Sequence, residues 1–393
     1  MRTKVKLKGG ISLIVLVITI IVMIILAAAI ILSLSNSGII GKANKAKTDS
    51  DTANLKEYVN TLRAEWELMT ADEQTAEGSF EAYANKKLAE NVYKGAVGAD
   101  GEVYSNLNEN VMAAIRAGIK VGDVVTGYTV TEKSYTTSGE ENTAPDYEET
   151  DPQPQTVTTN TDITWKYLGV NANGELEIMA DLGEEVAADN TKVKLSGKGG
   201  YLKGPEMLNT ICEKLYSKEG VGTARSMNIE DVNNILGYTG PKGTYYDSNY
   251  KEVKTPTPLT IGEIGSKLGT SLGTSTITPD GKALSTYYAD NYSINKTNDV
   301  KEMKNPGKRD LVYQANEYWL ASPCVIAFFV DGSADFSVRC VGSTDVGANY
   351  MFNSDGDSGC VTYAVCPVVS LKSNVQLTQN TEKTAWEIKW AKN

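Results

Sequence analysis

The residue types that most often carry catalysis are scarce in this 393-residue chain, and one is missing altogether. There is no His, which removes His-based nucleophilic triads, the usual proton shuttle near neutral pH, and most zinc and copper sites. Five Cys remain as nucleophile or metal-ligand candidates, and four of them (Cys324, Cys340, Cys360 and Cys366) crowd into residues 323–366. Their spacing lacks the paired CxxC of a zinc site. Residues 353–359 (NSDGDSG) carry oxygen ligands spaced as in a calcium-wrapping loop, but Ala364 stands where such a loop needs its bidentate Glu. No Gly-rich phosphate cradle opens a helix anywhere. The chemistry left to this chain is recognition, with no metal or cofactor required.

The segment 323–366 also has its own vocabulary. Lys, Glu, Gln, Met and Trp together number 80 in the chain, yet only Met351 falls here; at the frequency of the remaining chain about 10 would be expected. Four of the five Phe (Phe328, Phe329, Phe336 and Phe352) lie in it as well. The five depleted types are those that a codon with free first and second bases and a pyrimidine third base cannot encode. Randomised adenines in adenine-adenine-pyrimidine codons leave this signature. Strands and turns alone also disfavour Lys, Glu and Gln, but they do not enrich Cys and Phe.

A scaffold accepts such variation only where apolar core positions stay fixed. Val325, Phe336, Val338, Val341, Val346, Phe352 and Val365 read as the fixed inward set. Between them lie the candidate ligand-binding positions Cys324, Ile326, Phe328, Phe329, Asp331, Asp335, Ser337, Cys340, Thr344, Asp345, Asn349, Tyr350, Asn353, Asp355 and Asp357. Phe328, Phe329 and Tyr350 have the character of aromatic anchors. Taken singly, each is equally well a solvated turn residue; as a set they form the best binding surface in the chain.

The elements that must position this surface are legible upstream. Net charge is −11, which argues against nucleic acid as a partner. Residues 1–10 form a basic leader with Arg2, Lys4, Lys6 and Lys8, and residues 11–34 form an apolar run broken only by Ser12, Thr19 and Ser33. At about 1.5 Å per residue such a helix crosses a ~30 Å hydrocarbon core, with the leader on the cytoplasmic side. A secretory signal cut near Ala27–Ala29 is the alternative, but its apolar region would be shorter. Residues 35–121 read as a helical stalk, with Leu55, Val59, Leu62 and Trp66 on one stripe and a second helix from Phe80 to Val92.

From residue 122 to 393 the pattern changes to short strands. Residues 124–130 and 163–170 read as strands, with NANG (171–174) turning the chain into another over 175–182. Residues 132–161 read as an acidic disordered insertion or long hairpin tip. Pro205 suits a first helical turn ahead of Met207, Leu208, Ile211, Cys212 and Leu215, with Cys212 a small buried hydrophobe. Asn228 caps a second helix, Asp231 completes the box and Gly237 ends it. Residues 238–300 are loop-rich.

Two resemblances follow from these motifs. KGGISLIVLVITI resembles the leader of type IV pilins and pilin-like proteins, over about residues 4–70. It implies cleavage between Gly10 and Ile11 and packing beside other pilin subunits, although Val15 stands where the family has a Glu. The block at 200–238, EYWLASPCV (317–325) and YAVCPVVSL (363–371) resemble bacterial C-type-lectin-like domains related to the formylglycine-generating-enzyme fold. Those domains include the variable target proteins of diversity-generating retroelements, in which adenines near the 3′ end are randomised. Pro323 and Cys366 stand where that family usually has Arg.

The expected protein is therefore α+β: a long N-terminal transmembrane or pilin-like helix followed by a C-type-lectin-like domain with a variable segment at 323–366. The expected function is a non-enzymatic, cell-surface, adhesin- or receptor-like protein. It would be held by a single pass through the cell membrane, with the C-terminal domain outside binding a protein or glycan. A structural minor pilin and a formylglycine-generating-type enzyme using Cys360 and Cys366 are the alternatives.

Overall fold

The computed structural model describes residues 39–390 apart from 92, 106, 144–152, 185–186 and 271–277. The leader 1–10, the apolar run 11–34 and the expected cleavage point at Gly10 and Ile11 lie outside the described residues. No helix among the described residues is long and apolar enough to cross a membrane. The described chain is mixed α+β and richer in sheet than in helix. It divides into two compact units near residue 106.

The first unit holds α1 (Ile39–Leu68), α2 (Ala71–Glu77), α3 (Phe80–Glu90) and a hairpin of β1 (Gly95–Val97) with β2 (Val103–Ser105). The stripe Leu55, Val59 and Leu62 buries against Phe80, Tyr83, Ala84 and Leu88, with Trp66 at its margin. Spacing by three and four residues places these side chains on one helical face, so burying them holds the helix in place. Thr70 and Glu73 form a capping box on α2, and Ser79 caps α3. The hairpin interrupts the expected stalk. Asn85 of α3 secures it by bonding both the N–H and the carbonyl of Val97, each at 2.8 Å.

The second unit begins at residue 107, earlier than the expected 122. Its helix α4 (Glu109–Arg116) is tied there because the Asn110 amide donates to the Ser373 carbonyl at 2.6 Å and accepts from Gln376. The strands β3 (Val124–Thr126), β4 (Ser134–Thr136), β5 (Asn142–Thr143), β6 (Thr156–Thr158), β7 (Thr164–Val170), β8 (Leu176–Asp181) and β9 (Lys192–Ser196) follow. β3 is shorter than expected. Within 132–161, β4 pairs antiparallel with β6 from Ser134↔Thr158 to Thr136↔Thr156, so the arms of this insertion are ordered as a hairpin.

Next come α5 (Gly197–Tyr216), β10 (Gly222–Ser226), α6 (Ile229–Leu236), β11 (Gly243–Tyr246), β12 (Glu252–Thr255), β13 (Leu259–Thr260), α7 (Ile261–Leu268), β14 (Tyr288–Ala289), β15 (Ile294–Asn295) and α8 (Arg309–Val312). α5 starts eight residues before Pro205, which sits inside it. Intrinsic propensity disfavours so glycine-rich a start, but packing overrides it. A Cβ at Gly204 would meet Leu195 at 3.0 Å and one at Gly200 would meet Met351 at 3.1 Å, so these glycines let the helix lie against the sheet. In α6 the expected Asn228–Asp231 box and the left-handed Gly237 are both present. Asp231 also pairs with Arg225, which bonds Glu177 as well, linking β10, β8 and α6.

The C-terminal strands are β16 (Tyr318–Phe328), β17 (Ser333–Val341), β18 (Asp345–Asn353), β19 (Cys360–Val365), β20 (Pro367–Leu371), β21 (Val375–Gln379) and β22 (Trp386–Trp390). One sheet runs β10-β20-β8-β7-β3-β22-β21; the other runs β15-β18-β17-β16-β19-β9-β5, with β11 and β12 added beside β16. All seven residues expected to point inward from 323–366 are buried. Val325, Phe336 and Phe352 share a cluster with Tyr245, Ile261, Ile264 and Leu284.

Candidate binding face

The segment 323–366 forms three long antiparallel strands and their turns, which explains how one sequence run can make a continuous surface. Residues directly opposite in antiparallel strands share a face. Cys324↔Ser337↔Tyr350, Ile326↔Asp335↔Asn353 and Phe328↔Ser333 are such rows, and they lie opposite the core row Val325↔Phe336↔Phe352. Seven of the candidate positions (Cys324, Ile326, Phe328, Asp335, Ser337, Tyr350 and Asn353) thus share one face.

That face is open only over part of its length. Residues 290–294 cross it from the outer edge of β16 to the outer edge of β18. The Val325 N–H donates to Asp290 Oδ1 at 2.8 Å, Asn291 N–H donates to the Val325 carbonyl, and Ile294 pairs with Val346. Beneath this strap Arg339, 2% exposed, donates to the carbonyls of Tyr292 and Asp290 and lies 4.2 Å from the Tyr292 ring centroid. Cys324 and Ser337 are buried under it and are not available to a ligand. Burial pushes the Cys324 thiol up to about 12.

Beyond the strap the face opens toward the β16–β17 turn. Ile326, 9% exposed, is buried at the margin and offers little to a ligand, whereas Tyr350 is 38% exposed and Phe328, Asp335 and Asn353 are half-buried. Phe328 stacks on Tyr246 of β11, which pairs with it in parallel register. Asn353 donates to Asp335 Oδ1 at 2.8 Å. Burial pushes the Asp335 carboxyl up to about 6; the Asn353 bond opposes this, and the charges of Asp331 and Asp355 add to it. Asp331, Asp355 and Asp357 are exposed in the turns at this end. The Ser354 N–H and hydroxyl tie the second of these turns to Ala334, at 2.9 and 2.8 Å.

The remaining candidates stand elsewhere. Phe329, 3% exposed, belongs to the core, packed edge-on against Tyr245. Cys340 and Asn349 occupy the opposite face, where the Asn349 amide donates to Cys340 Sγ and to Tyr363 Oη, both at 3.1 Å. Thr344, in the β17–β18 turn, and Asp345, the first residue of β18, stand at the far end of the strands, about 27 Å away at ~3.4 Å per residue. Alternation within one strand was not resolvable from sequence, so both faces entered the candidate set. The sequence reading also missed Tyr246, which lies outside 323–366, and Arg339, the only basic residue within it.

Cys360 opens the extended β19 and Cys366 follows it, about 20 Å away. Cys366 is buried and its thiol faces the Ala180 carbonyl at 3.3 Å. All five Cys are free. Among the described residues no group of three His, Cys, Asp or Glu is placed to hold a metal ion. Comparison with protein-family models, with curated proteins and with solved structures gave no match.

Proposed function

We propose that this chain is a cell-surface binding protein. Residues 11–34 hold it in the membrane, as a pilin-like helix, and a C-type-lectin-like domain outside presents a retroelement-diversified face to a protein or glycan ligand. What supports this is the division of residues 323–366 into two sets. The apolar positions that must stay fixed are buried, while Phe328, Asp331, Asp335, Tyr350, Asn353, Asp355 and Asp357 reach one open end of the β16–β18 surface. Side chains there can change without leaving a cavity, since the core row lies on the other face. The remoteness of Cys360 from Cys366 speaks against a two-cysteine metal oxidase.

The flanking DNA tests the reading. The expected finding is a near-copy of the coding stretch for 323–366 that differs only at adenines, beside a reverse transcriptase gene. A flank with no copy, together with an unvarying segment in sister isolates, would favour a structural pilin instead.

A further inference from the structure

We infer that the β11–β12 hairpin forms a constant flank of the open face, with Tyr246 and Tyr250 as its aromatic contacts, and that the partner presents a basic polypeptide segment. This rests on the binding-face reading and extends it to residues that the unusual vocabulary of 323–366 does not reach.

Parallel pairing of β11 with β16 (Tyr245↔Ala327, Tyr246↔Phe328) sends the β11–β12 turn to the same end of the sheet as the β16–β17 turn. Tyr246 lies flat on Phe328, so a fixed ring supports a variable one. Tyr250, at the hairpin tip, is 64% exposed and adopts a positive φ of 56°. The turn holds it there: the Tyr250 N–H donates to the Asp247 carbonyl and the Asp247 N–H to the Lys251 carbonyl, both at 3.0 Å. Val330 in the neighbouring turn is exposed as well. Exposed apolar side chains thus stand in two turns at the same end of the sheet as the Tyr246–Phe328 stack, and apolar surface gathered at one end suits a partner that covers it.

Charge decides what covers it. Asp247, Asp331, Asp355 and Asp357 lie in the three turns 247–251, 329–332 and 354–358 at this end of the sheet, Asp335 stands on the open face, and Lys251 is the only cation in those turns. Aromatic rings beside carboxylates suit Arg or Lys, which gain from both the ring faces and the charges. A neutral glycan can donate hydroxyls to those carboxylates, but only a cation answers their charge.

The test is fluorescence anisotropy of a labelled octa-arginine peptide with the full chain in detergent micelles. Maltoheptaose serves as competitor, and Glu213→Gln on α5 as a remote charge control. Octa-arginine is expected to bind, maltoheptaose not to displace it, and Y246A and Y250N each to weaken it by about tenfold. Asn tolerates positive φ, so Y250N keeps the turn, and an unchanged melting temperature verifies that. F328A separates the two levels of the reading. Weakening by F328A but not by the Tyr variants overturns the flank and leaves the open face standing; indifference to all three overturns both. Absence of octa-arginine binding, displacement by maltoheptaose, or equal weakening by Glu213→Gln overturns the basic partner.

Discussion

Phe328 and Tyr246 lie with ring centroids 5.2 Å apart and planes 6° from parallel, joining a strand inside the unusual segment to one outside it. The next residue, Phe329, turns into the core and meets Tyr245 edge-on at 6.0 Å. Two adjacent phenylalanines therefore have different jobs. Denaturant titration should separate them: F329A costs about 3 kcal/mol or more through the cavity it leaves, whereas F328A costs about 1 kcal/mol. Equal losses would mean that Phe328 is core too.

Asp335 gives the open face a pH dependence. Its carboxyl, pushed up to about 6, stands above the ~3.9 of an unfolded aspartate, so the folded chain holds this proton more tightly. Its stabilising contribution is fully present below about pH 4 and is lost as pH rises through about 6. D335N retains an oxygen to accept from Asn353. It should flatten the stability profile between about pH 4 and 6 and gain on the order of 1 kcal/mol at pH 7, allowing for solvent screening. An unchanged profile would place the titration elsewhere.

Arg225 bonds Asp231 at 2.6 and 2.8 Å and Glu177 at 3.2 Å to both oxygens. Its removal leaves two buried carboxylates without their cation. R225A should cost about 3 kcal/mol in chemical denaturation, and adding E177Q and D231N should recover part of that loss. No recovery in the triple variant would show that the Arg225 side chain acts by packing alone.

Thiol accessibility should rank the cysteines. Cys212, Cys324, Cys340 and Cys366 are buried, and burial pushes the Cys340 thiol up to about 12. A thiolate-selective reagent is expected to modify Cys360 first in the native chain, and all five only after unfolding. Mass mapping of the adducts reads the order directly; early labelling of Cys324 would mean that the 290–294 strap opens readily.

Local chemistry was legible in the sequence, and long-range cover was not. The Leu55–Val59–Leu62 stripe and the Asn228–Asp231 box with Gly237 follow from spacing within one element, and the buried set from Val325 to Val365 from apolar character alone. The start of α5 was misplaced because Gly200 and Gly204 are explained by Leu195 and Met351, contacts that spacing cannot reveal. Cys324 and Ser337 read as surface because the strap that hides them comes from residues 290–294, some thirty to fifty positions upstream. Tyr246 was overlooked for the same reason: its partner lies on a strand 82 residues further along, and only parallel pairing brings them together.

β22 lies inside its sheet, between β3 and β21, with Trp386 opposite Val125. The ribosome therefore makes the described residues through β21 before the slot beside β3 can be filled. Until then the growing polypeptide carries an unzipped edge, whose closure waits on a contact spanning most of the unit. Export or folding helpers that shield that edge would matter most for this protein in the interval just before β22 is made.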